Sequence, residues 1–327
     1  MNGTPVRIGL IGMGRHGSRY ARHLLEDLPE VELVAVCRRD VPSGEEFARA
    51  KGIAFYANYR DLLSDDRLNA VAVVVPPDLT GPICTAAARQ GLPFVVEKPL
   101  AHTLADAEKI VQEAKDNGTK GLVAQTLRFD SLIRTLKAQL PLLGALHAIL
   151  IGQHFESLLL PWLDEPGRGG VILHTGIHSF DLLRFLSGGE VVRVYCESSR
   201  RYTQRTEDGF TAILEIEPGP VRAVVTNLRT TAGRTGRIEV VGEKGILVGD
   251  HVHQSLHLIQ GREKHPLPLP PPVPTVRECL RAFVAWLRED TPPPVSLVDG
   301  IKALAVVDAC QRSALTGTPI LLEIGGG

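Results

Sequence analysis

The stretch HTGIHSFD, residues 174–181, holds two histidines and an aspartate at spacings that suit chemistry. On an α-helix, His174, His178 and Asp181 would fall within about 60° of one another and share a face. Such a face could hold a metal pair, present an acid/base histidine with its helpers, or be a plain polar surface. Histidine suits proton transfer because its ordinary pKa of about 6.5 lies near neutral pH. Zinc needs a third protein ligand, and the other histidines, in HVHQSLH at 251–257, have no spacing that links them. We therefore favour acid/base chemistry and predict no metal site.

The remaining residues of this helix predict which side is buried. Apolar or small residues recur on roughly the opposite side, as in helices that pack on a sheet: Ile172, Gly176, Ser179, Leu183 and Leu186. We therefore expect the three polar residues to face a cleft or solvent. Three more side chains in nearby or preceding segments could touch a ligand, namely Arg128, Trp162 and Arg168.

A glycine-rich loop near the N-terminus could hold a phosphate. Gly12-Met13-Gly14-Arg15-His16-Gly17 matches GxGxxG directly after the apolar run RIGLI (7–11) and begins a helical pattern that reaches about Leu28. In this context Gly12 allows a tight turn, Gly14 lets the backbone approach a pyrophosphate, and Gly17 lets helix and strand pack closely. The N–H groups at the helix start attract the anion. The sequence therefore predicts a dinucleotide site.

The end of the next strand indicates which dinucleotide binds. An acidic residue about 20 positions after the glycines would bind the ribose hydroxyls of NAD, but the sequence there reads Arg38-Arg39-Asp40. Guanidinium groups match a 2′-phosphate, so NADP is modestly favoured over NAD. Asp40 stands two residues late, and a bent loop that brought it to the ribose would favour NAD instead.

Two regions with different patterns must position these residues. Buried parallel strands are predicted at 7–11, 32–37, 70–75, 94–97 and 121–125, with helices between them. Capping-box patterns start helices at Ser43 and Thr103, and Gly91 and Gly118 suit helix ends. After residue 125, strands alternate apolar and polar residues at 145–154, 190–198, 210–217, 221–229 and 237–241. The proline-rich 265–274 predicts an extended connection, followed by helices from Thr275 to about Arg288 and from Ser296 to near Gly317.

The fold class that follows is α/β. We predict an N-terminal Rossmann domain with a doubly wound parallel sheet at 1–123, and a C-terminal α+β domain on an open, mostly antiparallel sheet at 124–327. The 327 residues suit two domains.

Charge and cysteine usage narrow the class of partner. A net charge of −1 offers no field for nucleic acid or an anionic membrane, which favours a small molecule. The five cysteines form no CxxC pair, and no run of apolar residues is long enough to span a bilayer. An N-terminus with no room for a signal peptide completes the expectation of a cytoplasmic protein.

Three stretches together resemble the glucose-fructose oxidoreductase / inositol dehydrogenase (Gfo/Idh/MocA) family. They are GLIGMGRHG, VVVPPDLTGPICTAAARQGLPFVVEKPLAHT and GRGGVILHTGIHSFDLLRFLSGG, and Glu97-Lys98-Pro99 is the most specific motif. The resemblance implies that Glu97 and Lys98 lie at the nicotinamide end of the cofactor, that Lys98 binds and orients the substrate, and that His178 exchanges the proton. It also implies that Pro76, Pro77 and Gln125 line the cofactor pocket and that the open sheet packs against another subunit, as a homodimer or homotetramer.

The chain departs from the family pattern at two positions. His174 stands where members often have an aspartate that assists the histidine, and Thr80 stands where a histidine is frequent.

We predict an NAD(P)-dependent oxidoreductase acting on a hydroxyl or carbonyl of a sugar, cyclitol or related polyol. In this prediction His178 is the acid/base and Lys98 is the electrophilic and orienting group. His174 and Asp181 position the other groups or relay the proton. The alternatives are a redox-neutral, NAD-dependent glycoside hydrolase and a non-catalytic regulator that senses a dinucleotide.

Overall fold

The computed structural model describes residues 4–156, 164–166, 169–289 and 291–323. The chain forms two compact units, 1–126 with 274–301 and 127–273 with 302–327. The first unit therefore includes residues 274–301, which the predicted division at residue 123 assigned to the second domain. Nowhere in the described ranges is a helix long and apolar enough to cross a membrane.

The first unit is built on a six-stranded parallel sheet in the order β3-β2-β1-β4-β5-β6, which confirms the doubly wound fold. The chain reverses its direction of travel across the sheet between β1 and β4, and ligands of such sheets bind outside the carboxyl ends of the strands at that point. The strands are β1 Val6–Ile11, β2 Val31–Cys37, β3 Ala54–Tyr56, β4 Ala70–Val73, β5 Phe94–Glu97 and β6 Gly121–Ala124. The helices between them are α1 Arg15–Glu26, α2 Val41–Lys51, α3 Tyr59–Leu63, α4 Pro77–Arg89 and α5 Leu104–Asp116.

Helix caps in this unit confirm one sequence prediction and correct another. Thr103 caps α5 as predicted, since its hydroxyl accepts from the Asp106 N–H at 3.1 Å and donates to the Asp106 carboxylate at 2.8 Å. Ser43, in contrast, does not start α2. The helix begins two residues earlier because Asp40 is its N-cap and accepts from the Ser43 N–H at 3.4 Å.

The second unit is built on a nine-stranded sheet in the order β14-β13-β12-β11-β7-β10-β9-β8-β15. Among the described strands of this second sheet only β7 and β10 pair in parallel, so the sheet is mostly antiparallel, as predicted. Its strands are β7 Leu146–Glu156, β8 Glu190–Ser199, β9 Gly209–Glu217, β10 Val221–Thr231, β11 Thr235–Gly242, β12 Gly245–Asp250, β13 Ser255–Gln260, β14 Glu263–Pro266 and β15 Ile320–Leu321. The sequence had not predicted β12–β15, which are short.

Helices of the second part of the chain are α6 Ser131–Gln139, α7 Ile177–Ser187, α8 Thr275–Leu287 and α9 Leu297–Thr316. Short 3₁₀ turns at Thr126–Phe129 and Leu140–Leu143 flank α6, and a π-helical turn at Ile172–Gly176 leads directly into α7. The predicted terminal helices therefore begin and end within a residue or two of their observed positions.

The predicted buried side of the 172–187 segment is confirmed. All five residues of that side are buried, and Ser179 hydrogen-bonds the fully buried Asn227 of β10. A Cβ added at Gly176 would lie 2.9 Å from the Phe210 ring of β9, so a glycine is needed for this close approach to the sheet. The segment is thus fixed to one face of the sheet in the second unit.

Candidate active site

A cavity of about 640 Å³ lies at the carboxyl ends of β1, β2 and β4 in the first unit. Its position is the one expected for a ligand of a doubly wound sheet. The structure brings to it six of the predicted cofactor residues, namely Gly12, Met13, Gly14, Arg38, Arg39 and Pro76. Other residues that line it are Cys37, Asp40, Asn58, Tyr59, Val74 and Val75.

The three glycines of the loop are needed for different reasons. Gly12 has a φ of 99°, and a Cβ there would lie 2.0 Å from the Val74 carbonyl oxygen. A Cβ at Gly17 would lie 2.0 Å from the Gly12 carbonyl oxygen. A Cβ at Gly14 would meet nothing within 4 Å of the chain, so only a ligand that fills this space would require glycine there.

The start of α1 adds electrostatic attraction to this open space. Gly14 is the N-cap of α1 and has no side chain to satisfy the first N–H groups of the helix. Free N–H groups and the helix dipole favour an anion at such a terminus. The loop therefore fits the pyrophosphate of a dinucleotide in both shape and charge.

The residues after β2 bear on the choice of dinucleotide. Arg38 and Arg39 line the cavity, and Nη2 of Arg38 lies 3.3 Å from the Asp40 carboxylate. Asp40 accepts a hydrogen bond from the Ser43 hydroxyl at 2.6 Å, and this bond and the Ser43 N–H hold the pKa of Asp40 below its usual value. Its carboxylate is thus engaged as the cap of α2.

Glu97 connects the phosphate loop to the Glu-Lys-Pro motif. Its Oε1 accepts hydrogen bonds from the buried Tyr20 hydroxyl at 2.6 Å and from His16 Nε2 at 2.7 Å, and both residues belong to α1. Its Oε2 accepts from the Lys98 N–H at 3.1 Å. Burial raises the pKa of Glu97, but the bond and charge of His16 and the charge of Lys98 outweigh it, so the pKa lies below its usual value. Burial, and then the Glu97 charge, raise the pKa of Tyr20 well above its usual value. Glu97 is therefore an anionic anchor and does not line the cavity.

The other predicted residues of the first unit have distinct positions. Lys98 is half-buried after β5, and Gln125 follows β6. Gln125 is 1% exposed, and neither atom of its amide group has a hydrogen-bond partner among the residues that the structure describes. Buried amides are normally satisfied, so this one is available to a ligand. Pro77 begins α4 and Arg15 begins α1.

His174 lies in the π-helical turn of the second unit, and His178 lies in the first turn of α7. The predicted α-helical angle between them is therefore wrong, because a π-helix has i→i+5 hydrogen bonds and a wider turn. Glu207 holds the start of this segment, since its carboxylate accepts from the Ile172 N–H at 2.9 Å and its carbonyl accepts from the Val171 N–H at 3.0 Å. Burial raises the pKa of Glu207, and the bond from Ile172 offsets part of that rise.

Asp181 does not face a cleft or solvent, contrary to the prediction. Its carboxylate accepts from Arg128 Nε at 2.8 Å and from Nη2 at 2.6 Å, and the two side chains are 2% and 10% exposed. The guanidinium also lies 5.2 Å from the centre of the Phe185 ring. The prediction failed because a buried cation from a distant part of the chain gives the aspartate a partner.

His174 is held by a residue that the sequence analysis did not single out. Nη2 of Arg229, on β10, donates to His174 Nδ1 at 2.8 Å, and its Nε donates to the Thr175 hydroxyl at 3.1 Å. Both histidines are half-buried. Trp162 and Arg168, named above as possible ligand contacts, lie outside the described residues. In the described ranges no group of three or more His, Cys, Asp or Glu side chains could hold a metal ion.

Sequence reasoning thus missed Arg229, Tyr20 and Glu207. Arg229 stands two residues after Asn227 on a strand, so period-two alternation places both on the helix-covered face, where an arginine is unusual. That signal could have identified Arg229. Tyr20 and Glu207 offered no comparable signal, because their partners are distant in the sequence.

Family comparisons agree with this arrangement over most of the chain. Residues 6–125 match the Gfo/Idh/MocA oxidoreductase family's NAD-binding Rossmann fold, and residues 160–322 match its C-terminal alpha/beta domain. An inositol 2-dehydrogenase of Saccharopolyspora erythraea is 29% identical over 98% of this chain and 97% of its own length. A myo-inositol 2-dehydrogenase of Thermotoga maritima is 26% identical over 97% of this chain and 99% of its own length.

Solved structures show the same fold. An aldose-aldose oxidoreductase from Caulobacter crescentus superposes with a TM-score of 0.88 at 22% identity, covering 97% of this chain and 100% of its own. An oxidoreductase domain protein from Kribbella flavida gives a TM-score of 0.89 at 22% identity, covering 98% and 100%. The phosphate loop and the matches to both family domains together show that this chain is an NAD(P)-binding oxidoreductase of the Gfo/Idh/MocA family.

Proposed function

We propose that this enzyme oxidises a secondary hydroxyl of a sugar, cyclitol or related polyol with NAD(P), or reduces the corresponding carbonyl. The observation that carries the proposal is the open space at Gly14, which fits a pyrophosphate. A bound pyrophosphate would explain why a residue without a side chain stands there. Full-length relatives named inositol 2-dehydrogenases support a polyol as the second substrate.

Within this proposal His178 accepts the hydroxyl proton during oxidation and returns it during reduction. Lys98 stabilises the negative charge that develops on the same oxygen by donating a hydrogen bond to it. The nicotinamide ring, when bound, takes up the hydride that leaves the carbinol carbon. The hydroxyl thus loses a proton to His178 and a hydride to the cofactor, which leaves a carbonyl.

His174 and Asp181 are proposed as positioning residues. Asp181 fixes α7 through its pair with Arg128, and His174 is fixed by Arg229. Both contacts hold the segment that carries His178, the proposed proton acceptor.

The preferred cofactor is proposed to be NADP. Arg38 and Arg39 line the cavity after β2, and a guanidinium pairs well with a 2′-phosphate. The Asp40 carboxylate, which would favour the ribose hydroxyls of NAD, is occupied in capping α2. Gln125 is proposed as a polar contact to the cofactor because of its unsatisfied buried amide.

A homo-oligomer in the cytoplasm is the proposed form of the enzyme. Leu150 and Ile213 are 39% and 55% exposed, and both pair with Val224 in register, which makes one apolar row across β7, β10 and β9. Such a row suits contact with a second copy. The five cysteines are buried free thiols, as expected in a reducing compartment.

The test is a screen of neutral and acidic sugars, sugar nucleotides and cyclitols with NAD and NADP in parallel, followed by the absorbance of the reduced nicotinamide. Reduction of the cofactor with at least one polyol supports the proposal. Release of an aglycone without net cofactor reduction would instead identify a redox-neutral hydrolase, and a protein that leaves NAD(P)H fluorescence unchanged on titration would contradict the cofactor site.

A further inference from the structure

Arg229 is a cation beside His174, and no carboxylate in the part of the chain that the structure describes balances its charge. Its Nη2 and Nε donate to His174 and Thr175. Within the described part of the chain, Nη1 has no acceptor and no carboxylate oxygen lies within 4.0 Å of the guanidinium. One edge of the guanidinium is therefore uncommitted.

The surroundings of Arg229 disfavour its charge. Burial lowers the pKa of Arg229, and the nearby charge of Arg234 lowers it further. Arg234 is itself paired with Glu156 at 2.8 Å, so that carboxylate is already engaged. Buried charges are normally paired, and an arginine keeps its proton in proteins. An anion supplied from outside the chain would therefore bind favourably here.

His174 does not offset the charge of Arg229. A guanidinium has only donors, so His174 Nδ1 accepts the bond from Arg229 and brings no negative charge to it. The carboxylates nearest along the chain and the helix are engaged elsewhere, since Asp181 binds Arg128 and Glu207 binds the Ile172 N–H. Both carboxylates are thus engaged away from Arg229.

We propose that the substrate carries a carboxylate that Arg229 binds, so that it is an acidic polyol of the uronic acid class and not a neutral sugar or cyclitol. The inference rests on the proposed function, since it names the substrate class of the site to which His178 belongs. The open edge of a guanidinium forms a charge-assisted hydrogen bond with a carboxylate oxygen. One uncompensated cation matches the single charge of a carboxylate better than the double charge of a phosphate monoester.

The experiment compares matched pairs that differ only in the acidic group. D-glucuronate, D-galacturonate and D-mannuronate are each assayed beside the parent hexose, with NADP and NAD. For at least one pair we expect kcat/KM to be about 10- to 100-fold higher for the acid, the range of a charge-assisted hydrogen bond. Equal kcat/KM values, or a preference for the neutral partner, in every pair would overturn the proposal.

Variants of Arg229 assign the preference to this residue. Arg229→Gln should bring the acid-to-neutral ratio of kcat/KM close to one, mainly by raising KM for the acid. Arg229→Lys keeps the charge and should retain part of the ratio. Arg222→Gln is the matched control, since Arg222 is an exposed arginine of the same strand paired with Glu215 at 2.7 Å, and it should leave the ratio unchanged.

Two outcomes distinguish this inference from the proposed function. Equal losses with both partners of a pair in Arg229→Gln, at an unchanged thermal midpoint, would show a purely structural role and overturn the inference. Turnover of neutral polyols alone would overturn it while the proposed function stands. Absence of turnover with every acidic and neutral polyol would contradict both.

Discussion

Asp181 and Arg128 form a buried, two-pronged ion pair, with N–O distances of 2.8 Å and 2.6 Å. The pair joins the 3₁₀ turn before α6 to the middle of α7, the helix that carries His178. We infer that the aspartate of HTGIHSFD serves to place the helix and takes no part in proton transfer.

Breaking this pair should destabilise the second unit strongly. Asp181→Asn or Arg128→Met breaks a buried ion pair joined by two hydrogen bonds, and we expect a loss of roughly 3–5 kcal/mol in the free energy of unfolding. Denaturant unfolding followed by circular dichroism measures it. The double variant Arg128→Met/Asp181→Leu should lose less than the sum of the two single variants, because each single variant already breaks the same pair.

A matched control for that experiment is the exposed pair of Asp308 and Arg312, whose N–O distance is 3.4 Å. Asp308→Asn should change stability little, since surface ion pairs are weak. If Asp181→Asn behaved like Asp308→Asn, the anchoring role of Asp181 would be wrong.

Acid should weaken the anchor formed by Glu97. Because the folded pKa of Glu97 lies below its usual value of 4.5, its ionised form contributes stability above that pH, and the contribution is lost as the pH falls through the folded pKa. The stability difference between wild type and Glu97→Gln should therefore shrink as the pH falls below 4.5. A difference that grew on acidification would contradict the assignment.

Arg38→Asp should shift the cofactor preference toward NAD. Loss of a guanidinium and gain of a carboxylate beside the ribose should weaken NADP binding by about 10- to 100-fold and leave NAD binding nearly unchanged or improved. Titration of nicotinamide fluorescence gives both dissociation constants. Asp40→Ser, which keeps a capping oxygen for α2, is the companion variant. The proposed preference would be reversed if Asp40→Ser weakened NAD binding more than Arg38→Asp weakened NADP binding.

Ile213→Asp should disrupt a homo-oligomer formed through the sheet of the second unit. The residue lies in the exposed apolar row with Leu150 and Val224, where a charge would be desolvated on association. Light scattering after size-exclusion chromatography should show a smaller particle than the wild type. An unchanged mass would show that the interface lies elsewhere. A monomeric wild type would exclude a homo-oligomer.

Local patterns predicted most of the fold. The strands before and after the phosphate loop, the cap at Thr103 and the ends of the last two helices depend on residues close in sequence, so periodicity and capping chemistry identify them. The start of α2 was misplaced because Asp40 and Ser43 are both residue types that cap the N-terminus of a helix. Strand β13 was missed because the two buried residues Leu256 and Leu258 are too few to establish a period-two alternation.

The chemistry of the site was less predictable for a physical reason. The residues that fix it are partners across long sequence separations: Tyr20 with Glu97, Arg128 with Asp181, and Arg229 with His174. The π-helical turn at Ile172–Gly176 likewise has no signature in the spacing of its residues. Residue types indicated which groups could act, but only the packed structure shows how each is held.

The most direct test of the central claim is the turnover of His178→Gln compared with the wild type, on the best polyol from the screen, with cofactor affinity measured on the same preparations. If His178 exchanges the proton, kcat should fall by about 10²- to 10⁴-fold while the dissociation constant of NAD(P) is unchanged. A variant that binds the cofactor normally and turns over within a few-fold of the wild type would contradict the account.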